Sequence, residues 1–373
     1  MLRAAAKQFV FMSCFLLLIS GTFRSELIIE IMSSGVYDTN AEALRLGQFK
    51  NSGSADYYGS TGLKIQSNDI IFEFPYSMYY SFDYRDFVAF KDQGARKHIL
   101  DLDLETELQK EIRLIPRFNL EYYDENTKEW SYFKLKPSVY INYLDADGLL
   151  LELNYGWESR QFLDKSLRNT YQNISSNTHS IDSDVKIWLN TYLRTMIKYS
   201  MKYESFEGAG SFSLSVYSGI PQGAGRKDIT HAVGLEELVL LNKSILLNFM
   251  YEYKYNNSDS GRYAYRANRF GMDIYYEVIK GHTMYAMGGL TFFEYFNNNY
   301  DVRYLNTKED YYTDFSLGYV YEFTGEITAE LRYNYTSNDS NDALDFNAAF
   351  SKSYSNYTRS NLALLLKFGF SII

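Results

Sequence analysis

The sequence predicts an all-β fold: a transmembrane antiparallel up-and-down β-barrel of about sixteen strands, within limits of about fourteen to eighteen. Three observations carry this expectation. The chain is rich in aromatic residues yet hydrophilic, with 37 Tyr and 26 Phe in 373 residues and a mean hydropathy of -0.33. Segments of roughly ten to fifteen residues alternate apolar and polar side chains, the period-2 pattern of strands with two unlike faces. Tight turns alternate with long polar connections, as turns at one membrane surface and loops at the other would.

A helical membrane protein would be more apolar, and beyond residue 25 no run approaches the roughly 18 apolar residues that a transmembrane helix needs. Any membrane location therefore requires a closed barrel, which alone satisfies backbone polar groups without a helix. Tyrosine has an apolar ring and a polar tip, which suits a membrane–water boundary, and aromatics favour strands. No Pro/Ser-rich linker or compositional break divides the chain, so 26–373 is read as one barrel domain.

Residues 1–25 are read as a signal peptide. Arg3 and Lys7 precede the apolar run 9–19 (FVFMSCFLLLI), which Ser20, Gly21 and Thr22 follow. Charged start, short apolar core and small residues are the three parts of a secretory signal. The only cysteine, Cys14, lies within that run, and the apolar core continues past it, which argues against lipidation. Without it the mature chain has no thiol for a disulfide or a metal.

Alternation is clearest in three segments. In 244–255, Ile245, Leu247, Phe249, Tyr251, Tyr253 and Tyr255 share one face, and Asn248, Glu252 and Lys254 the other. In 311–323, Phe315, Leu317, Tyr319, Tyr321 and Phe323 oppose Asp314, Ser316, Gly318 and Glu322. In 326–335, Ile327, Ala329, Leu331, Tyr333 and Tyr335 oppose Thr328, Glu330, Arg332 and Asn334. Tight turns are read at Asp145-Ala-Asp-Gly148, Leu241-Asn-Lys-Ser244, Ile279-Lys-Gly-His282 and Phe323-Thr-Gly-Glu326, and long loops at 164–184, 297–310 and 336–354. Strands then fall near 27–37, 57–67, 69–81, 95–108, 112–124, 131–145, 148–162, 191–206, 209–218, 229–241, 244–256, 262–278, 282–296, 309–323, 325–338 and 355–371. An even count places both termini on the turn side, which is the periplasmic side in a bacterial outer membrane. Pro75, Pro116 and Pro137 fall inside these segments, where they signal edges or bulges.

The residues opposite the apolar face are expected to line the lumen. Along 95–108, Asp101, Asp103 and Glu105 oppose Leu100, Leu102 and Leu104; along 112–124, Arg113, Arg117 and Glu121 oppose Leu114, Phe118, Leu120 and Tyr122. Lys134 and Lys136 follow on the next strand, and Arg194, Lys198 and Lys202 share a face of 191–206. Pairing around the turn near Gln109 brings Arg117 close to Asp103. Such a wall suits a charge-lined aqueous channel, and it equally suits cross-strand ion pairs that satisfy a wet interior.

Motifs for catalysis are absent: no G-x-S-x-G, Walker loop or H-E-x-x-H occurs, and His98, His179, His231 and His282 lack ligand spacing. We therefore expect no enzyme, no catalytic residues, no cofactor and no metal site. The oxygen-rich stretch 338–345 lacks the glycine of a calcium loop and reads as solvated. A net charge of -9 argues against nucleic acid.

Ser34-Gly-Val-Tyr-Asp-Thr-Asn40, Tyr57-Tyr-Gly-Ser-Thr-Gly-Leu-Lys-Ile65, Phe118-Asn-Leu-Glu-Tyr122 and the closing strand 362–370 give the chain a pattern that resembles the broad group of bacterial β-barrel porins. The final alternation of Leu362, Leu364, Leu366, Phe368 and Phe370 is similar to the last strand by which insertion machinery recognises outer-membrane proteins, although the chain ends in Ile373. The resemblance implies an outer-membrane channel, its partners being outer-membrane lipid, the barrel-insertion machinery and small hydrophilic solutes or ions. It supplies no catalytic residues. The alternatives are a surface barrel whose long loops adhere to other cells, and a polysaccharide export port, for which aromatic residues should line the lumen. Oligomeric state is not legible.

Overall fold

A computed structural model describes residues 26–39, 56–71, 74–88, 94–126, 131–145, 148–162, 175–206, 226–259, 264–296, 309–340 and 357–372. All regular elements among them are strands: β1 (Glu26–Asp38), β2 (Asp56–Ile71), β3 (Phe74–Phe87), β4 (Ala95–Leu104), β5 (Thr106–Gln109), β6 (Ile112–Glu125), β7 (Tyr132–Leu144), β8 (Leu149–Phe162), β9 (Ser176–Asn190), β10 (Leu193–Phe206), β11 (Lys227–Asn242), β12 (Ile245–Ser258), β13 (Tyr265–Ile279), β14 (His282–Tyr295), β15 (Glu309–Thr324), β16 (Ile327–Ser340) and β17 (Tyr357–Ile372). β4 and β5 are two pieces of one stave, both paired with β6, so the wall is a closed antiparallel barrel of 16 staves. Closure runs from Leu27↔Ile372 to Asp38↔Asn361 between β1 and β17, and β1 pairs with β2 on its other side. Closing the ring removes the open edges that would otherwise recruit other chains.

Two-residue turns at 110–111, 191–192, 243–244, 280–281 and 325–326 lie at the same end of the barrel as both chain termini. Gly148, just before β8, and Gly281, in the turn at 280–281, occupy the left-handed region in which a side chain would be strained, which is why glycine stands at these two positions. Two of the prolines coincide with ladder defects, because proline has no N–H to donate. Pro116 stands in β6 beside the break at Glu105 between β4 and β5, and the β7–β8 pairing is interrupted at Pro137. Pro75 lies at the start of β3.

Two expectations fail. The strand expected at 69–81 is displaced, since β2 runs on to Ile71 and β3 occupies Phe74–Phe87. The segment 164–184, read as loop, overlaps β9, no part of which was expected as a strand; β9 begins at Ser176 and pairs with both β8 and β10. β9 reads SNTHSIDSDVKIWLN, and only its second half carries a clear apolar face, so alternation alone does not reveal its start. The segment 191–206 is correspondingly trimmed to β10 from Leu193, after the turn at 191–192. The strand placed at 209–218 and the signal peptide at 1–25 lie outside the described residues.

Register divides the wall into two faces. Alternate residues such as Ile141, Leu153, Leu235, Phe249, Leu317 and Leu364 are exposed large hydrophobics on one face all round the ring. The other face is polar, and it is the concave one. Its side chains reach across an intervening strand: Arg269 of β13 meets Asp314 of β15 at 3.6 Å, and Tyr285 of β14 donates to Glu330 of β16. Such contacts are possible only where strands curve towards one another.

Candidate functional site: the charged inner wall

The period of two determines which residues face inward, and the register then determines which of them meet. By register, the residues expected on the inner wall lie on the face opposite the exposed large hydrophobics. They form two arcs, one over β4 to β7 and one on β10. In the first, Arg117 donates through Nε and Nη2 to the two carboxylate oxygens of Asp103, both at 2.6 Å, and its guanidinium lies 4.6 Å from the Tyr140 ring centre. Asn119 donates to Asp101 at 2.6 Å, and Arg113 reaches Glu105 at 3.0 Å and Glu107 at 3.8 Å. Glu121, only 5% exposed, is held by Lys97 at 3.0 Å, Lys134 at 2.6 Å and the Tyr132 hydroxyl at 2.5 Å. In the second arc Arg194 and Lys198 both bind Glu236 of β11, at 3.2 and 2.6 Å.

These are charge-assisted pairs, the stronger class of hydrogen bond, and they tie adjacent staves together. Lys136 and Lys202 differ from the rest: neither makes an ion pair or hydrogen bond among the described residues. By register Lys136 lies between Asn119 of β6 and β8, and Lys202 between Ser180 and Thr230. They are the predicted residues whose charge is not already neutralised by a neighbour.

The structure adds clusters that sequence reading did not single out. Glu30 joins three staves at the seam, binding Lys64 of β2 at 3.4 Å and Lys367 of β17 at 2.6 Å. Asp182 of β9 accepts from Asn154 at 3.1 Å and from Ser200 at 2.6 Å, and Lys186 pairs with Glu152. The alternation that yielded the predicted set was present for these also, but the partners are remote in sequence, and β9 was not expected as a strand.

Tyr285 illustrates how the wall stays smooth. A Cβ placed on Gly318 would lie 2.0 Å from the ring of Tyr285, so the ring lies flat on the glycine of the neighbouring stave. In that position its hydroxyl contacts Glu330 and, at 2.9 Å, Arg332. Gly318→Val is expected to expel the ring, separate these groups and cost about 1–3 kcal/mol, as overpacking does. Chemical unfolding of the variant checks this, and stability equal to the parent would contradict the packing described.

Among the described residues no group of three or more His, Cys, Asp or Glu could hold a metal ion. No protein family and no curated protein matches the sequence. Solved structures do match in shape. Pseudomonas aeruginosa OpdK, determined with vanillate, is similar with a TM-score of 0.51 at 8% identity, covering 94% of this chain and 99% of its own. Vibrio cholerae OmpT, in its outer-membrane-expressed form, has a TM-score of 0.50 at 10% identity, covering 94% and 99%. The loop L8 deletion form of that outer membrane protein gives 0.50 and 10%, covering 93% and 99%. At such identities the likeness establishes the barrel fold alone.

Proposed function

We propose that the chain is a porin-like channel of a bacterial outer membrane that passes small hydrophilic solutes or ions and carries out no catalysis. The observation that carries this reading is the sidedness of a closed 16-stave wall, with large apolar side chains outside and ionic networks on the concave face. A barrel of about this size encloses room for water. On this reading residues 1–25 direct export, outer-membrane lipid covers the apolar face, and β17, with exposed Leu362, Leu364, Leu366 and Phe368, is the strand presented to the insertion machinery.

Single-channel recording of the refolded, signal-free barrel in a planar bilayer tests it. Reproducible current steps are expected. Lys136→Glu combined with Lys202→Glu should shift the reversal potential in a salt gradient towards cations, with permeability changing by roughly twofold, because these charges are uncompensated and act through screened solvent. Folded barrels that never conduct would overturn the channel reading.

Carbohydrate is the favoured solute class within a second reading, and one observation favours it. Near the loop-side end the concave face carries aromatic clusters: Tyr123 and Tyr132 stack at 5.4 Å with Phe162 at 5.7 Å from Tyr132, and Tyr265 packs on Phe293 and Tyr295 at 5.4 and 5.8 Å. Sugar rings stack on such surfaces and bond to adjacent carboxylates. Current blocked by an added oligosaccharide supports transport or export of saccharides; unaffected current returns the assignment to small solutes and ions.

A further inference from the structure

All four histidines of the chain lie on the apolar outer face, and all make the same contact. Nδ1 of His98, His179 and His231 is hydrogen-bonded to the hydroxyl of Tyr80, Tyr155 and Tyr199 at 2.9, 2.9 and 3.0 Å, and His282 to that of Tyr319. In each pair the tyrosine stands two positions along its strand from the residue that faces the histidine, namely Phe82, Trp157, Met201 and Tyr321. The first three histidines lie near the loop-side ends of β4, β9 and β11, equally far from the turn-side ends Gln109, Asn190 and Asn242. They therefore mark one level on the outside of the wall, whereas His282 sits at the opposite end.

An imidazole is costly in hydrocarbon and acceptable where lipid headgroups begin. When the tyrosine hydroxyl donates to Nδ1, the neutral ring carries its proton on Nε2; in His98 that nitrogen is buried without a partner among the described residues, so the outward donors at this level are those of His179 and His231. Two of the pairs adjoin. Tyr203 of β10 lies opposite His179, with ring centres 6.5 Å apart, and the same strand supplies Tyr199 to His231. Trp157 faces His179 directly, and Lys227 is exposed on the same face of β11, nearer the loops than His231. Outward-facing donors, a cation and interfacial aromatics thus converge over β8 to β11 at the level where an apolar face meets water.

We propose that this patch, centred on His179 and His231, docks the phosphate of membrane-lipid headgroups at the loop-side boundary and so fixes the depth at which the barrel sits. The inference rests on the membrane location proposed above. The test uses the refolded full barrel in vesicles of phosphatidylglycerol or of a neutral galactolipid with the same acyl chains. Native mass spectrometry then counts the lipid retained after transfer to detergent. Phosphatidylglycerol should be held preferentially. His179→Phe with His231→Phe should weaken that retention about three- to tenfold, the scale of one or two hydrogen bonds to a charged group. His179→Gln with His231→Gln, which keeps an amide donor, should restore part of it, and His282→Phe should leave it unchanged. Quenching of Trp157 by lipids brominated along the chain should report a changed depth in the phenylalanine variant only. Equal retention of the two lipids, or an equal loss with His282→Phe, would overturn the proposal. Failure of the barrel to enter either vesicle would instead overturn the membrane reading.

Discussion

Arginine in place of Leu317 is expected to destabilise the barrel by about 2–4 kcal/mol, the scale for a cation near the bilayer centre in the membrane location proposed above. Leu317 lies near the middle of β15, 45% exposed, between Ala286 of β14 and Tyr333 of β16 on the outer face. Ser316, its immediate neighbour, faces inward and donates to Asn334 at 2.5 Å. Ser316→Arg should therefore cost only about 1 kcal/mol, the value of that lost hydrogen bond, because the new cation reaches a polar wall. Chemical unfolding of both variants in vesicles, followed by heat-modifiable gel migration, measures the contrast. Equal destabilisation at the two positions would refute the assignment of faces.

The second large effect is at the seam. Asp38 at the loop-side end of β1 is 0% exposed and is bound by Nε and Nη2 of Arg359 in β17, with Nε at 3.1 and 3.0 Å from its two oxygens. Removing one member of a buried pair strands the other charge, so Arg359→Ala should cost about 3 kcal/mol, near the low end because Asp38 has further contacts. The double change Asp38→Asn with Arg359→Ala should be less destabilising than the single arginine loss. A double-mutant cycle on the unfolding midpoint gives the coupling, and strict additivity would show that the pair does not hold the ring closed. The neighbouring Thr39 and Ser360 reinforce the same junction, with the Thr39 hydroxyl donating to the Ser360 carbonyl at 3.0 Å.

Much of this architecture was legible because a strand's side chains alternate strictly. Once Leu100, Leu102 and Leu104 are assigned outward, Asp101 and Asp103 must point inward, whatever surrounds them. The hairpin around the turn at 110–111 is local, so the Asp103–Arg117 pair followed from counting back along two adjacent strands. β9 escaped the sequence reading for the converse reason. A strand with short polar residues at outward positions such as Asn177 and Ser183 has little contrast between its faces. It is held by its neighbours on both sides rather than by its own pattern.

The Glu30 junction shows where sequence reading stops. Lys64 and Lys367 lie far apart in the chain and meet on one carboxylate because β1 is flanked by β2 on one side and β17 on the other. The same holds for Tyr285 lying on Gly318, and for histidines that share one level through register rather than spacing. By itself the sequence determined that most of the chain forms strands with an apolar and a polar face, and which side chains occupy each, because those properties are local and have a period of two. Only the tertiary structure decided how the ring closes and which charges neutralise one another. Pairing between remote strands is set by register around the whole barrel, and shifting one strand by a single residue would exchange its two faces.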